Sequence, residues 1–171
     1  MSKAFTRESD DAPESQSETR PVSSLPPGAR NYITPDGAAK MKAEFDRLVT
    51  IDRPELSRAP EDDHEARQTL QALVRKIHHL EQVLRSAVVS YPPPGERNRV
   101  RFGATVTVRT LRGEEESYRI VGVDETDFDR GWISWLSPLA KALLNTEAGQ
   151  RVQFRSPSGQ DELQILRIAY E

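Results

Sequence analysis

The sequence predicts an α+β protein in two parts, an antiparallel coiled-coil hairpin followed by a small antiparallel sheet covered by one helix. Three observations carry that expectation. Leu70, Leu73, Ile77, Leu80, Leu84 and Ala87 recur at alternating steps of three and four, the seam of a helix packed along a second helix. The run Ser90-Tyr91-Pro92-Pro93-Pro94-Gly95 then stops helical patterning and reads as a semi-rigid linker. Beyond it the apolar residues alternate in short runs separated by Gly and Ser-Pro turns, as half-buried strands require.

Composition bounds what these parts can do. The chain has 171 residues, of which 36% are hydrophobic and 30% charged, and its formal net charge is -3. That balance offers no massed positive field for broad attraction to nucleic acid or membrane. With no cysteine there is no disulfide framework and no thiolate metal site. No apolar run approaches the ~20 residues of a membrane span, and no signal-like apolar core opens the chain, so the expected location is the cytoplasm. Residues 1–30 hold six Ser and four Pro, with Phe5, Val22 and Leu25 as the bulky apolar residues after Met1. Such a segment cannot offset its ordering entropy and is expected to be a disordered tail, with Phe5 the one candidate for a short binding motif. The expected division is a tail over 1–30, a hairpin over 31–90, a linker over 91–99 and a sheet domain over 100–171.

The first helix begins at Thr34-Pro35-Asp36-Gly37. Thr34 suits the cap, Pro35 the first turn, and Asp36 the positive end of the helix dipole. Met41, Phe45 and Leu48 share one face, and Pro54 predicts a kink or break near Asp52-Arg53-Pro54. A loop centred on Arg58-Ala59-Pro60 lets the seam helix fold back on the first. In the sheet domain Val106 and Val108 mark one strand, Arg112-Gly113 a turn, and Tyr118 to Val123 the returning strand. Gly131 to Trp135 is a third strand. Ser137-Pro138 then caps a short helix through Leu139, Leu143 and Leu144, and two more strands follow around Val152-Phe154 and from Leu163 to Tyr170.

Glu61-Asp62-Asp63-His64-Glu65 stands at the tip of this hairpin, at the start of the second helix. Carboxylates held at such a tip suit action on a partner's metal ion; Asp62 and Glu65, three apart, fall on one helical face, with Asp63 a rival to Asp62. The same pair has a plainer use as an N-cap and a first-turn acid, worth about 1 kcal/mol to the helix. His64 is expected to be solvated, and His78 and His79 have no ligand spacing. Trp132 and Trp135 are read as packing residues with partner contact as the alternative, and Glu114-Glu115-Glu116 as a solvated turn.

Several segments together resemble one family. Phe102-Gly103-Ala104, Tyr118-Arg119-Ile120-Val121-Gly122-Val123-Asp124-Glu125, Ile133-Ser134 and Ser137-Pro138-Leu139-Ala140-Lys141-Ala142-Leu143-Leu144 stand in the order and spacing of the Gre family (GreA/GreB) of bacterial transcription elongation factors. Tyr32-Ile33-Thr34-Pro35-Asp36-Gly37 and Arg53-Pro54-Glu55 resemble its N-terminal segments, so the likeness spans residues 31–171. It implies a coiled-coil hairpin joined to an FKBP-like domain. It implies a monomeric, non-enzymatic partner of bacterial RNA polymerase that docks at the rim of the secondary channel and meets nascent RNA only indirectly. Docking is expected through Leu136, Ser137 and Pro138, with Asp124 and Glu125. The tip acids Asp62 and Glu65 are expected to share a Mg2+ ion with the polymerase active centre, and no cofactor is expected to be held stably by this chain alone.

The chain departs from the family pattern in three substituted places and in one length. Glu61 replaces a glycine, Ala66-Arg67 replaces Asn-Ala, and Leu136 replaces the Asp before Ser-Pro of GreB-like chains. The stretch between Arg53-Pro54-Glu55 and His79-Leu80 is about twelve residues shorter than the family's, or about six per arm, so the tip falls roughly 9 Å short at 1.5 Å per helical residue. Transcript cleavage is therefore expected to be weak or absent. Short-hairpin relatives such as Rnk, regulators of nucleoside diphosphate kinase, supply the alternative partner. A prolyl isomerase, implied by fold likeness alone, is disfavoured because no aromatic-lined pocket is legible.

Overall fold

The computed structural model describes residues 25–60, 63–92, 94–95, 97–156 and 159–170. The expected tail falls almost wholly outside these residues, as do Glu61 and Asp62 of the acidic knot.

Strand β1 (Asn31–Ile33) leads into helix α1 (Pro35–Arg47) through the cap foreseen at Thr34, whose Oγ1 accepts the Gly37 N–H at 3.0 Å. The kink expected near Pro54 takes a specific form. Residues Leu48–Asp52 make one π-helical turn, in which the Arg53 N–H donates to the Leu48 carbonyl five residues back, and α2 (Arg53–Leu56) resumes beyond it. The wider turn relieves the clash that the Pro54 ring would otherwise make one turn back. Helix α3 (His64–Ser86, 23 residues) returns antiparallel to α1. Lys76 Nζ meets Glu44 at 2.5 Å midway, while Asn31 at the base donates to the Val83 carbonyl at 3.3 Å and to Ser86 Oγ at 3.0 Å.

The helices meet through Leu48, Ile77 and Leu80, flanked by Met41, Phe45, Val49 and Leu73. Near the base the seam departs from the expected one, since Val83 is buried and Leu84 only half-buried. There α3 no longer faces α1 but the strand ahead of it, which Asn31 ties to the α3 backbone. Strand β2 (Ala87–Val89) continues α3 and pairs parallel with β1, Tyr32 opposite Val88. That two-stranded pair was not expected.

The second part is a five-stranded sheet in the order β5-β4-β3-β7-β6. Its strands are β3 (Thr105–Thr110), β4 (Glu115–Val121), β5 (Trp132–Ser134), β6 (Arg151–Ser156) and β7 (Gly159–Ala169). Val106 and Val108 alternate with polar neighbours and turn into the core, where Val100, Ala104, Ile120, Val152, Leu163 and Ile165 join them. Helix α4 (Pro138–Leu143) closes this face with Ala140 and Leu143. The β3–β4 turn has Gly113 at φ +85, a left-handed conformation open to glycine, and the Gly113 N–H donates to the Thr110 carbonyl at 3.0 Å. The expectation of a purely antiparallel sheet is corrected: β5 runs parallel to β4, Ile133 opposite Ile120. A turn at Val123–Glu125 and a tight loop at 127–131 carry the chain over before β5 begins, which reverses its direction relative to a hairpin return.

Candidate functional site

At the far end of the hairpin, Asp63 caps α3, its Oδ1 accepting the Ala66 N–H at 2.9 Å. The Asp63 N–H donates to the Pro60 carbonyl at 3.1 Å, which closes the turn from the first arm. Asp63 therefore takes the capping use. Glu65, exposed in the first turn, sits where a carboxylate favours the helix dipole and is accessible to a partner. Asp62 lies outside the described residues. Among the described residues no three His, Cys, Asp or Glu side chains converge into a metal centre. The exposed Glu65 carboxylate offers oxygen donors of the kind a hard cation such as Mg2+ takes.

The expected docking segment lies at the start of α4. Ser137 Oγ accepts the Ala140 N–H at 3.1 Å and its N–H donates to the Ser134 carbonyl at 2.9 Å, while the Leu136 N–H donates to Ser134 Oγ at 3.2 Å. These bonds fix the backbone and leave Pro138 exposed, with Leu136 and Ser137 half-buried. The Ser137 hydroxyl accepts the cap bond, and the exposed Pro138 ring stands beside it at the start of α4.

Asp124 and Glu125 do not share that outward role. Asp124 Oδ1 lies 3.4 Å from His79 Nε2 on α3, and Glu125 is 8% exposed in the seam between hairpin and sheet domain. There Glu125 Oε2 accepts the Thr34 N–H at 2.9 Å and the Gly122 N–H at 2.9 Å, and Oε1 accepts the Thr34 hydroxyl. The same hydroxyl oxygen accepts the Gly37 N–H, so one chain of bonds runs from the first turn of α1 through Thr34 into the sheet domain. Glu125, expected at the docking surface, is thus engaged in contacts within the chain.

The rest of the seam is aromatic and ionic. The Tyr32 ring packs against Phe102 at 5.9 Å and edge-on to Trp135 at 5.4 Å between centroids. Trp132 has Lys40 of α1 at 5.2 Å, Arg119 at 5.2 Å and Arg130 at 5.5 Å from its ring. Arg119 also faces Asp36 at 3.5 Å. Both tryptophans therefore serve contacts within the chain, and Trp132 is a cation platform joining α1 to β5. The signal for this seam was present as Gly37, Gly122 and Glu125, but its meaning needed the fold. A Cβ on Gly37 would lie 1.9 Å from Glu125 Oε1, and one on Gly122 2.4 Å from the Tyr32 carbonyl oxygen.

Comparison with known proteins addresses the family directly. Residues 95–170 match the family model described as "Transcription elongation factor, GreA/GreB, C-term". The GreB of Neisseria meningitidis serogroup A is 35% identical over 154 residues, covering 82% of this chain and 94% of that protein. The GreA of Thermodesulfovibrio yellowstonii is 34% identical, with 81% and 96% covered, and the GreB of Xanthomonas axonopodis pv. citri 36% identical, with 85% and 95% covered. A solved GreA/GreB factor from Nitrosomonas europaea aligns at 21% identity and a TM-score of 0.41, covering 83% of this chain and 99% of that one. The Neisseria alignment takes in 82% of this chain, about 140 residues, so about 14 of its 154 positions have no residue here. On its identity to these GreA and GreB relatives the chain belongs to the GreA/GreB family of transcription elongation factors.

Proposed function

We propose that this factor binds bacterial RNA polymerase with its sheet domain at the rim of the secondary channel and its hairpin inside, and that it modulates elongation with weak or absent stimulation of transcript cleavage. The observation that carries the second half is the shortfall of about 14 positions against a relative matched nearly end to end. Placed in the hairpin, where the sequence pattern is short, that loss withdraws the tip along the channel. Metal ligation tolerates errors of tenths of an ångström, so a deficit of several ångströms removes it. Asp63 adds to the case, since its carboxylate is already committed to capping α3.

The residues available to a shared Mg2+ ion are Asp62 and Glu65, whose oxygens suit a hard cation. Such an ion, when bound in the polymerase, would supply the Lewis-acid chemistry of hydrolysis. The chain's own part is to place those carboxylates and to fill the channel. Pro138 and the loop fixed by Ser134 and Ser137 form the docking contact, and any catalysis belongs to the polymerase.

Backtracked RNA polymerase complexes test this reading. The protein is added beside an Asp62→Ala/Glu65→Ala double variant, and binding is followed by pull-down. Binding with little cleavage, unaffected by the double substitution, is the expected result. Efficient cleavage that needs both acids would show that the tip reaches the metal. Absence of binding would sink the polymerase reading and turn attention to nucleoside diphosphate kinase.

A further inference from the structure

We propose that Glu125 is a positioning residue, a buried carboxylate that sets the angle at which the helical hairpin leaves the sheet domain. Its consequence for transcription rests on the channel-binding reading above, but the positioning itself belongs to the free protein. The carboxylate sits where the two parts meet, is 8% exposed, and has no cation within ion-pair distance among the described residues. A buried carboxylate without a cation persists only when hydrogen-bond donors replace its water. Three donors do so, and they come from both sides: the N–H and hydroxyl of Thr34 from the hairpin, and the Gly122 N–H from the sheet domain.

The arrangement is directional. Thr34 is the cap of α1, so the bonds grip the first turn of that helix and not a mobile side chain. Gly37 and Gly122 leave room for the carboxylate, since a Cβ at either would meet it at 1.9 Å and 2.7 Å. The pairs around it are weaker clasps. In each, one member is largely buried and the other open to water, Asp36 in the 3.5 Å pair with Arg119 and His79 in the 3.4 Å pair with Asp124, so solvent screens both. Angle matters because α3 is a lever: at 1.5 Å per residue its 23 residues span about 35 Å, so a swing of about 10° moves the tip by about 6 Å.

The absence of cysteine makes the test direct. Spin labels on Arg58→Cys near the tip and Arg112→Cys at the β3–β4 turn, both exposed, report the distance between the parts. The full chain is expected to give one narrow distribution. Glu125→Ala is expected to shift or broaden it by several ångströms with helix content unchanged. Glu125→Gln is expected to stay near the parent, because its carbonyl can accept both N–H groups while its amide faces the Thr34 oxygen. Thr34→Val supplies a second reading if Glu125→Ala does not fold, with Thr34→Ser as the rescue that restores hydroxyl and cap. An unchanged narrow distribution in Glu125→Ala, or in Thr34→Val where that variant decides, overturns the proposal. On polymerase, Glu125→Ala is expected to keep its half-saturating concentration and lose several-fold in maximal effect, a split that simple unfolding would not produce.

Discussion

At the level of single residues, burial and a neighbouring acid give one side chain a pH signature. Burial at the edge of the sheet-domain core, the hydrogen bond to Glu116 and that carboxylate's charge together raise the Tyr118 phenol from 10.0 to about 12. A group whose pKa is raised in the folded state holds its proton more tightly there than in the unfolded chain. Its contribution to stability is full below about pH 10 and is lost as pH rises toward 12. Ultraviolet titration of the phenolate band should therefore show one late tyrosine, absent in Tyr118→Phe, and that variant should lose less stability across the same window. Gly122 is the second residue with a sharp expectation. Because a Cβ there would lie 2.4 Å from a backbone oxygen, Gly122→Ala should destabilise by about 1–3 kcal/mol in chemical denaturation. Neither effect was legible beforehand. Tyr118 and Gly122 were read as part of one strand, and Glu125 as a docking residue implied by the family resemblance, because a buried carboxylate declares itself by what closes over it and Thr34 is ninety-one residues away.

Among the elements, the ones dictated by local chemistry were the ones the sequence pattern announced. Thr34 with Pro35, and Ser137 with Pro138, cap α1 and α4 as expected, since a cap needs only neighbours within one turn. The kink near Pro54 was visible for the same reason, although its resolution into a π-helical turn depends on how Leu48 is held against α3. Parallel pairing of β4 with β5, and of β1 with β2, was not visible, because strand direction is decided by the path of the connection and not by alternation. Val83 was missed because α3 changes the neighbour it faces near its end. Two substitutions separate these contributions. Leu80→Ala removes a buried side chain from a small helical core and should cost about 2–5 kcal/mol. Asp63→Ala removes only the cap of α3 and should cost about 1 kcal/mol, seen as loss of helix content at the tip without change in the sheet domain.

For the whole molecule, the question is reach. On the proposed reading the tip acids, the lever of α3 and the Glu125 contact form a series, in which the sheet domain would dock, the seam would set the direction, and hairpin length would decide how deep the acids go. Direction is expected to be correct in this chain and length deficient, which makes length the variable to change. Insertion of one heptad into each arm adds about 10 Å and keeps every apolar position on its face, because seven residues make close to two full turns. The insertions belong after Asp46 and before Leu73, ahead of the π-helical turn in the first arm and away from the capped tip in the second. If reach alone silences the tip, the lengthened protein should stimulate cleavage by backtracked polymerase, and Glu65→Ala in that background should abolish the gain. A lengthened hairpin that binds and remains inactive would instead place the fault at the tip itself, where Glu61 and Ala66-Arg67 replace the family residues and Asp63 keeps its carboxylate turned to its own helix.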